Sequence, residues 1–150
     1  MLTKAEHKIY PMTDDSIDKV RQVESQMLEK EQVDLQTLHT IHGGLYTRTV
    51  LLKKGHALCG ALIKVPTTLI LNGNVMVYIG NDFSHIIGYD VLPASSNRKQ
   101  LMIAIEDTYI TMCMKTNLTD LKEIEKEFTD EYDMLMSSFD TAKNIIIIGD

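Results

Sequence analysis

At 150 residues, with 44% hydrophobic and 24% charged side chains, the chain has the size and balance of one globular domain with room for a substantial core. A formal charge of −6 argues against nonspecific DNA or RNA binding, which needs a basic footprint to displace phosphate counterions. No apolar run reaches the roughly 18–20 residues of a bilayer span, and the polar start MLTKAEHKIY has no signal-peptide core, so a cytoplasmic protein with no membrane partner is expected.

The first dozen residues lack a strong period and read as an arm. TDDSIDKVRQVESQMLEK then sets Ile17, Val20, Val23 or Glu24, and Met27 at helical spacing. Thr13 or Asp14 is available as N-cap, and Asp15 and Asp18 lie near the positive end of the dipole. The spacing predicts an amphipathic helix lying across the outside of the β-structure or across a partner chain.

From Tyr46 to Met114 the texture changes to short β-rich runs, LYTRTVLL, ALCGALIKV, TTLIL, NVMVYIG, HIIGYDVL, QLMIAIED and TYITMCM, separated by turn residues. Several short strands at close spacing predict a sandwich or a barrel. Asn72-Gly73 marks a tight hairpin, because both residues tolerate positive φ. Pro66 breaks the apolar run 57–71 into two pieces. Helical spacing returns through Leu121, Ile124 and Phe128, with Thr119 as cap and Asp120 in the first turn, and again through Tyr132, Leu135, Met136 and Phe139. The tail NIIIIGD predicts a terminal strand that pairs with a sheet or with another subunit.

Three stretches carry a resemblance: HGGLYTRTVLLKKGHALCGALIK, LILNGNVMVY and IEDTYITMCMKTNLTDLKEIEKEF. Together, over about residues 39–128, they resemble the cupin superfamily, and within it the small cupin-like proteins of phages and prophages. The resemblance implies a mainly β fold, a cupin-type double-stranded β-helix (jelly roll) with an N-terminal helix and short C-terminal helices. The implied single domain divides into an arm and helix over 1–38, a barrel over 39–116, helices over 117–140 and a terminal strand over 141–150. In members that hold a metal, histidines would stand about where this chain has Ile63 and Thr67, with a third near Met114. Isoleucine and methionine offer no imidazole or carboxylate donor, so no metal and no other cofactor is expected, and the metal-dependent activities known among cupins are not carried over.

Among residues with chemistry of their own, His39 and His42 stand three apart and would share a metal only on a helical turn with a third ligand nearby; otherwise they line the entrance to the first strand. Cys59 and Cys113 read as free buried thiols, and no nucleophile or general acid–base pair emerges, so no catalytic residue is assigned. Residues 42–99 carry six basic groups, Arg48, Lys53, Lys54, Lys64, Arg98 and Lys99, against the two acids Asp82 and Asp90, which points to a confined anion site.

Arg48, two positions from Tyr46, suits bidentate contact with a carboxylate or phosphate while the phenol holds a neighbouring oxygen; a salt bridge to an acid of the C-terminal helices is the alternative. Arg98 and Lys99, in ASSNRKQ, form either an anion clamp at the barrel mouth or a solvated loop. Alternation leaves open whether Tyr109, Thr111 and Cys113 or Ile110, Met112 and Met114 face the interior.

The expected ligand site is therefore Arg48, Tyr46, His42, Lys99, Arg98 and Thr111. It would bind or sequester a small polar, anionic ligand of nucleotide-like or sugar-phosphate type without turnover, in a homo-oligomer. Two other functions fit the sequence: an assembly or protein-interaction module, and a metal-independent isomerase or lyase using Tyr46 with His42 as acid and base.

Overall fold

The computed structural model describes residues 7–139 and 141–149. Of the expected arm, residues 1–6 lie outside the described residues, and so does Asp150 of the terminal segment. From His7 the arm docks on the sheet: Ile9 is buried and bridges Ala94 in parallel, its amide donating to the Pro93 carbonyl at 3.0 Å. Thr13 caps helix α1 (Asp14–Leu28), its hydroxyl accepting from the Ser16 amide at 3.2 Å, with Asp14 and Asp15 in the first turn. Ile17 and Val20 are buried against Met12 and Leu101, with Val23 and Met27 packed at the margin, so the helix covers its own chain's sheet.

Seven strands follow: β1 (Thr37–His42), β2 (Leu45–Leu52), β3 (Ala57–Cys59), β4 (Thr67–Tyr78), β5 (Phe83–Ala94), β6 (Leu101–Lys115) and β7 (Asn144–Ile148). Their order is β5-β4-β6-β2-β1-β7, with β3 paired to β6 off this path. All pairs are antiparallel except β1 with β7. The long strand β6 keeps β4 as one neighbour, while its other neighbour changes from β3 at Leu101–Ile103 to β2 at Thr108–Lys115. A strand that changes partner along its length is how one sheet curls into two layers. The fold class is mainly β, consistent with the jelly roll expected.

Alternation then decides the inside. Tyr46, Val50 and Leu52 of β2, Leu69 and Leu71 of β4, and Ile110, Met112 and Met114 of β6 are buried in one apolar cluster. Tyr109, Thr111 and Cys113 take the opposite face.

Two expectations for the β-structure are corrected. Asn72-Gly73 is no hairpin: β4 runs through it, and β6 bulges opposite, between partners Asn72/Tyr109 and Asn74/Glu106. The glycine is needed because a Cβ there would sit 2.4 Å from Thr108 Oγ1 and 2.6 Å from the Asp107 carbonyl. The tight reversal lies instead at Gly43 and Gly44, both at positive φ, between β1 and β2. Glu106 and Asp107 do not separate two strands, since both lie within β6, where Asp107 accepts from the Lys54 amide at 2.9 Å.

Pro66 does end the pairing as expected, β4 beginning at Thr67. Helix α2 (Leu121–Phe128) forms, but Asp120 rather than Thr119 is its cap, accepting from the Glu123 amide at 3.2 Å. The second expected helix breaks into a 3-10 turn at Tyr132–Met134 and the short helix α3 (Met136–Phe139), the side chain of Phe139 lying outside the described residues. The terminal strand pairs with a sheet, its own, beside β1.

Candidate functional site

Polar side chains enter the inner face of the sheet where β1 and β2 meet α2, α3 and the start of β7. On β1, residues 37, 39 and 41 point inward, which brings His39 into the core; on β2, Tyr46 and Arg48 share that face. Helix α2 adds Glu125, which lies one turn from Leu121 and three residues from Phe128 on the buried face.

These groups form one connected network. Arg48 donates to Glu125 at 3.2 Å and, through its other terminal nitrogen, to Ser137 Oγ at 3.1 Å. Ser137 Oγ in turn donates to the Glu125 carboxylate. The Arg48 guanidinium also lies over the Phe128 ring, 5.8 Å from its centroid. Tyr46 stacks between His39 and Phe128, with ring centroids 5.9 and 6.1 Å away.

The proton positions follow from the partners. Asn144 Nδ2 donates to the Ser137 carbonyl at 2.9 Å, so its Oδ1 is the acceptor facing His39 Nε2, also at 2.9 Å. His39 Nε2 therefore carries the proton, and Nδ1 accepts from the Tyr46 hydroxyl at 2.7 Å. Burial, reinforced by the Arg48 charge, holds the His39 pKa below its ordinary value, against the raising effects of Asn144 and Glu125. Burial raises the Tyr46 pKa, with Arg48 opposing. Both rings are neutral near pH 7, and the Arg48 charge is matched by Glu125.

An open cavity of about 260 Å³ adjoins the network, with Glu125, Ser137 and Asn144 in its wall beside Leu121, Thr141 and Ile146. Asp120 and Lys122 complete the lining. Oxygen acceptors thus outnumber cationic donors around this space. A smaller cavity of about 180 Å³ lies under the arm at Ile9, lined by Val77, Ile86 and Leu92; His7, also in its wall, pairs with Asp90 at 2.5 Å.

The other expected site residues lie elsewhere. His42 is exposed at the end of β1, on the face opposite His39, so the partner of Tyr46 is His39 and the Tyr46–His42 acid–base pair does not form. Thr111 is on the outer face, its hydroxyl paired with that of Thr49 at 2.8 Å. Arg98 and Lys99 are neither a clamp at a mouth nor solvated.

Arg98 is 2% exposed and donates to the Ser95 carbonyl and Thr67 Oγ1, both at 2.7 Å, while its Nε has no partner. Burial lowers its pKa to about 10. Lys99, equally buried, is held by Glu24 at 3.0 Å, Glu131 at 3.2 Å and the Gly60 carbonyl at 3.0 Å. These two cations tie loops together.

Of the positions compared with metal ligands, Thr67 is taken up by Arg98 and Met114 is core. Among the described residues no three His, Cys, Asp or Glu side chains gather into a metal-binding group. Burial raises both thiols, Cys59 to about 11. No described helix is long and apolar enough to cross a membrane.

Glu125, Ser137 and Asn144 had no part in the sequence-derived site. Glu125 carried a signal all the same, a carboxylate on the apolar face of an amphipathic helix; Ser137 and Asn144 carried none.

No family model matches the sequence, and no curated protein does. Solved structures to which the chain is similar include cupins. A cupin 2 conserved barrel domain protein from Leptotrichia buccalis is 16% identical, with TM-score 0.48 over 67% of this chain and 50% of that one. KdgF from a Halomonas species is 14% identical, with TM-score 0.47 over 63% and 93%. A cupin superfamily protein from Desulfitobacterium hafniense is 9% identical, with TM-score 0.46 over 62% and 87%. Likeness at this level carries nothing about metal, ligand or reaction to this chain.

Proposed function

We propose that the protein is a binding module that holds a small polar molecule in the cavity between α2 and β7, without turning it over. One observation carries this: a buried ion pair, with a serine, an asparagine, a histidine and a tyrosine locked around it, backs the wall of that cavity. Apolar side chains of the same volume would fill such a place at less desolvation cost, and perturbed titratable groups beside a cavity mark functional sites.

The lining sets the ligand class. Arg48 is neutralised by Glu125, and Asp120, Glu125, Ser137 and Thr141 present acceptor oxygens. A molecule rich in hydrogen-bond donors, a polyol or a small amine, suits this wall better than the nucleotide or sugar phosphate suggested by the basic middle of the chain. Binding without chemistry suits a network whose acid and base already hold each other.

The test is a thermal-shift panel of polyols, small amines, sugar phosphates and nucleotides against the wild type and Thr141→Tyr, which fills the cavity from an exposed position. A polyol or amine should raise the melting temperature by about 2–6 °C at saturation, and Thr141→Tyr should abolish the rise. Lack of any stabilising compound, or a rise that survives in Thr141→Tyr, would sink the proposal.

A further inference from the structure

Strand β5 stands at one end of the strand order, and the N-terminal arm lies along that edge. Residues 7–10 alternate. His7 and Ile9 turn toward the sheet, while Lys8 and Tyr10 stand in solvent, the Lys8 ammonium over the Tyr10 ring. Ile9 is joined to β5 by two backbone hydrogen bonds: its amide donates to the Pro93 carbonyl, and its carbonyl accepts from the Ser95 amide at 2.9 Å. A second pair of this parallel ladder, at His7, would need an amide from residue 93, and proline has none. Pairing therefore stops at a single bridge, and ahead of Met12 the arm relies on its two inward side chains.

His7 fits its place incompletely. The Asp90 side chain is 8% exposed; its Oδ2 pairs with His7, and its Oδ1 is buried with no donor among the described residues. One imidazole nitrogen reaches one oxygen, so the other carboxylate oxygen stays unsatisfied, at a cost in free energy. The cavity of about 180 Å³ beside His7 and Ile9 is walled by Val77, Ile86 and Leu92, apolar surface that the short histidine stem leaves uncovered. Arginine answers both defects: its guanidinium bonds two carboxylate oxygens at once, and its three methylenes cover apolar wall.

We infer that the β5 edge is a groove for an extended segment of another protein, with arginine at the His7 position and a large aliphatic residue two positions on. The chain's own arm is a stand-in for that segment, and it displays the mode of binding. One edge bridge sets the register, a cationic side chain meets Asp90, an aliphatic anchor enters the core, and the residue between them faces water and is free to vary. Charge agrees, since a chain of net −6 with a buried carboxylate in the groove favours basic segments over acidic ones. His7, with 44% of its side chain exposed, covers the solvent side of the pair, so an incoming arginine takes Asp90 before Ile9 has to leave. The groove shares no lining residue with the cavity proposed above.

Fluorescence anisotropy of a labelled peptide copying residues 7–13 with H7R, titrated with the full-length chain, tests this. The His7→Ala chain, which frees Asp90, should bind the peptide with a Kd of about 100 µM or below. The wild type should bind it about tenfold more weakly, because its own arm competes at high effective concentration. Adding Asp90→Asn to His7→Ala should weaken binding by about tenfold or more, and so should H7Q in the peptide. The peptide exchange leaves the protein untouched, so it decides the matter even where Asp90→Asn disturbs the fold. No anisotropy change with His7→Ala up to about 1 mM overturns the inference. So do equal affinities for the H7R and H7Q peptides, binding by a folded chain that survives Asp90→Asn, or displacement of the peptide by an equal concentration of agmatine, which marks a site for a small cation instead.

Discussion

Removing Arg48 alone should be far worse than removing it together with its partner. Arg48→Met keeps most of the side-chain volume but leaves the Glu125 carboxylate, whose side chain is 3% exposed, with Ser137 as its remaining hydrogen-bond donor in the network. It also removes the donors to Ser137 and Tyr46 and the cation over Phe128.

Breaking one side of a buried pair costs about 3–5 kcal/mol. The value here should fall near the lower end, about 3 kcal/mol, because Ser137 stays and the Arg48 side of the pair is partly exposed. Glu125→Leu should cost about 2–3 kcal/mol, since the stranded guanidinium keeps Ser137 and some water. The double variant has no stranded charge and should lie within about 1 kcal/mol of wild type.

Urea unfolding at pH 7, with the slope unchanged across the four proteins, measures the cycle. The reasoning fails if the single variants cost under about 1 kcal/mol, the value of a surface pair, or if the double variant costs the sum of the two.

Two further outcomes follow from the same structure. His39 has its folded pKa lowered by burial, so its neutral form belongs to the folded state: stability is full above the unfolded pKa near 6.5 and falls as pH drops below it, because the unfolded chain takes up the proton first. The loss is at most about 1.4 kcal/mol per pH unit, and chemical denaturation of His39→Gln between pH 7.5 and 5 should show a shallower slope than wild type; equal slopes would contradict the assignment. Gly73→Ala should lower stability by about 2–4 kcal/mol, because the new methyl meets the Thr108 hydroxyl and the Asp107 backbone where β6 bulges; a thermal melt within about 1 °C of wild type would mean the bulge is not where the register places it.

Much of the local structure was legible in the chain. Thr13 before an acidic first turn marked the start of α1, Pro66 marked the break before β4, and NIIII marked a strand that needed a neighbour. Each is set by the residue's own geometry: a hydroxyl that reaches an amide two or three residues on, a ring without an N–H, a β-branched run. The pairing of Arg48 with an acid of the C-terminal helices was one of two readings open to the sequence, and Glu125 fills that role. How the pair adjoins a cavity was not legible, since Ser137, Thr141 and Asn144 reach it from short turns and a strand start that carry no periodic signal.

Where two segments compete for one local signal, only the folded chain chose. Asn72-Gly73 suits a tight turn, yet the same glycine serves a bulge once β6 lies against it, and no count of nearby residues reveals that neighbour. His39 and His42 look alike in the sequence, but a strand of period two sends one to the core and the other to solvent, and which goes inward is decided by the register of β1 against β2 and β7. Arg98 and Lys99 read as loop cations and are the most deeply buried ones, because carbonyls and carboxylates from residues 24, 60, 95 and 131 converge on them only in three dimensions. Periodicity and caps are properties of a few consecutive residues, so the sequence marked the start of α1, the break before β4 and the terminal strand; strand lengths, face, register and the partners of buried charge depend on contacts between segments far apart in the chain, which the tertiary structure alone brought together.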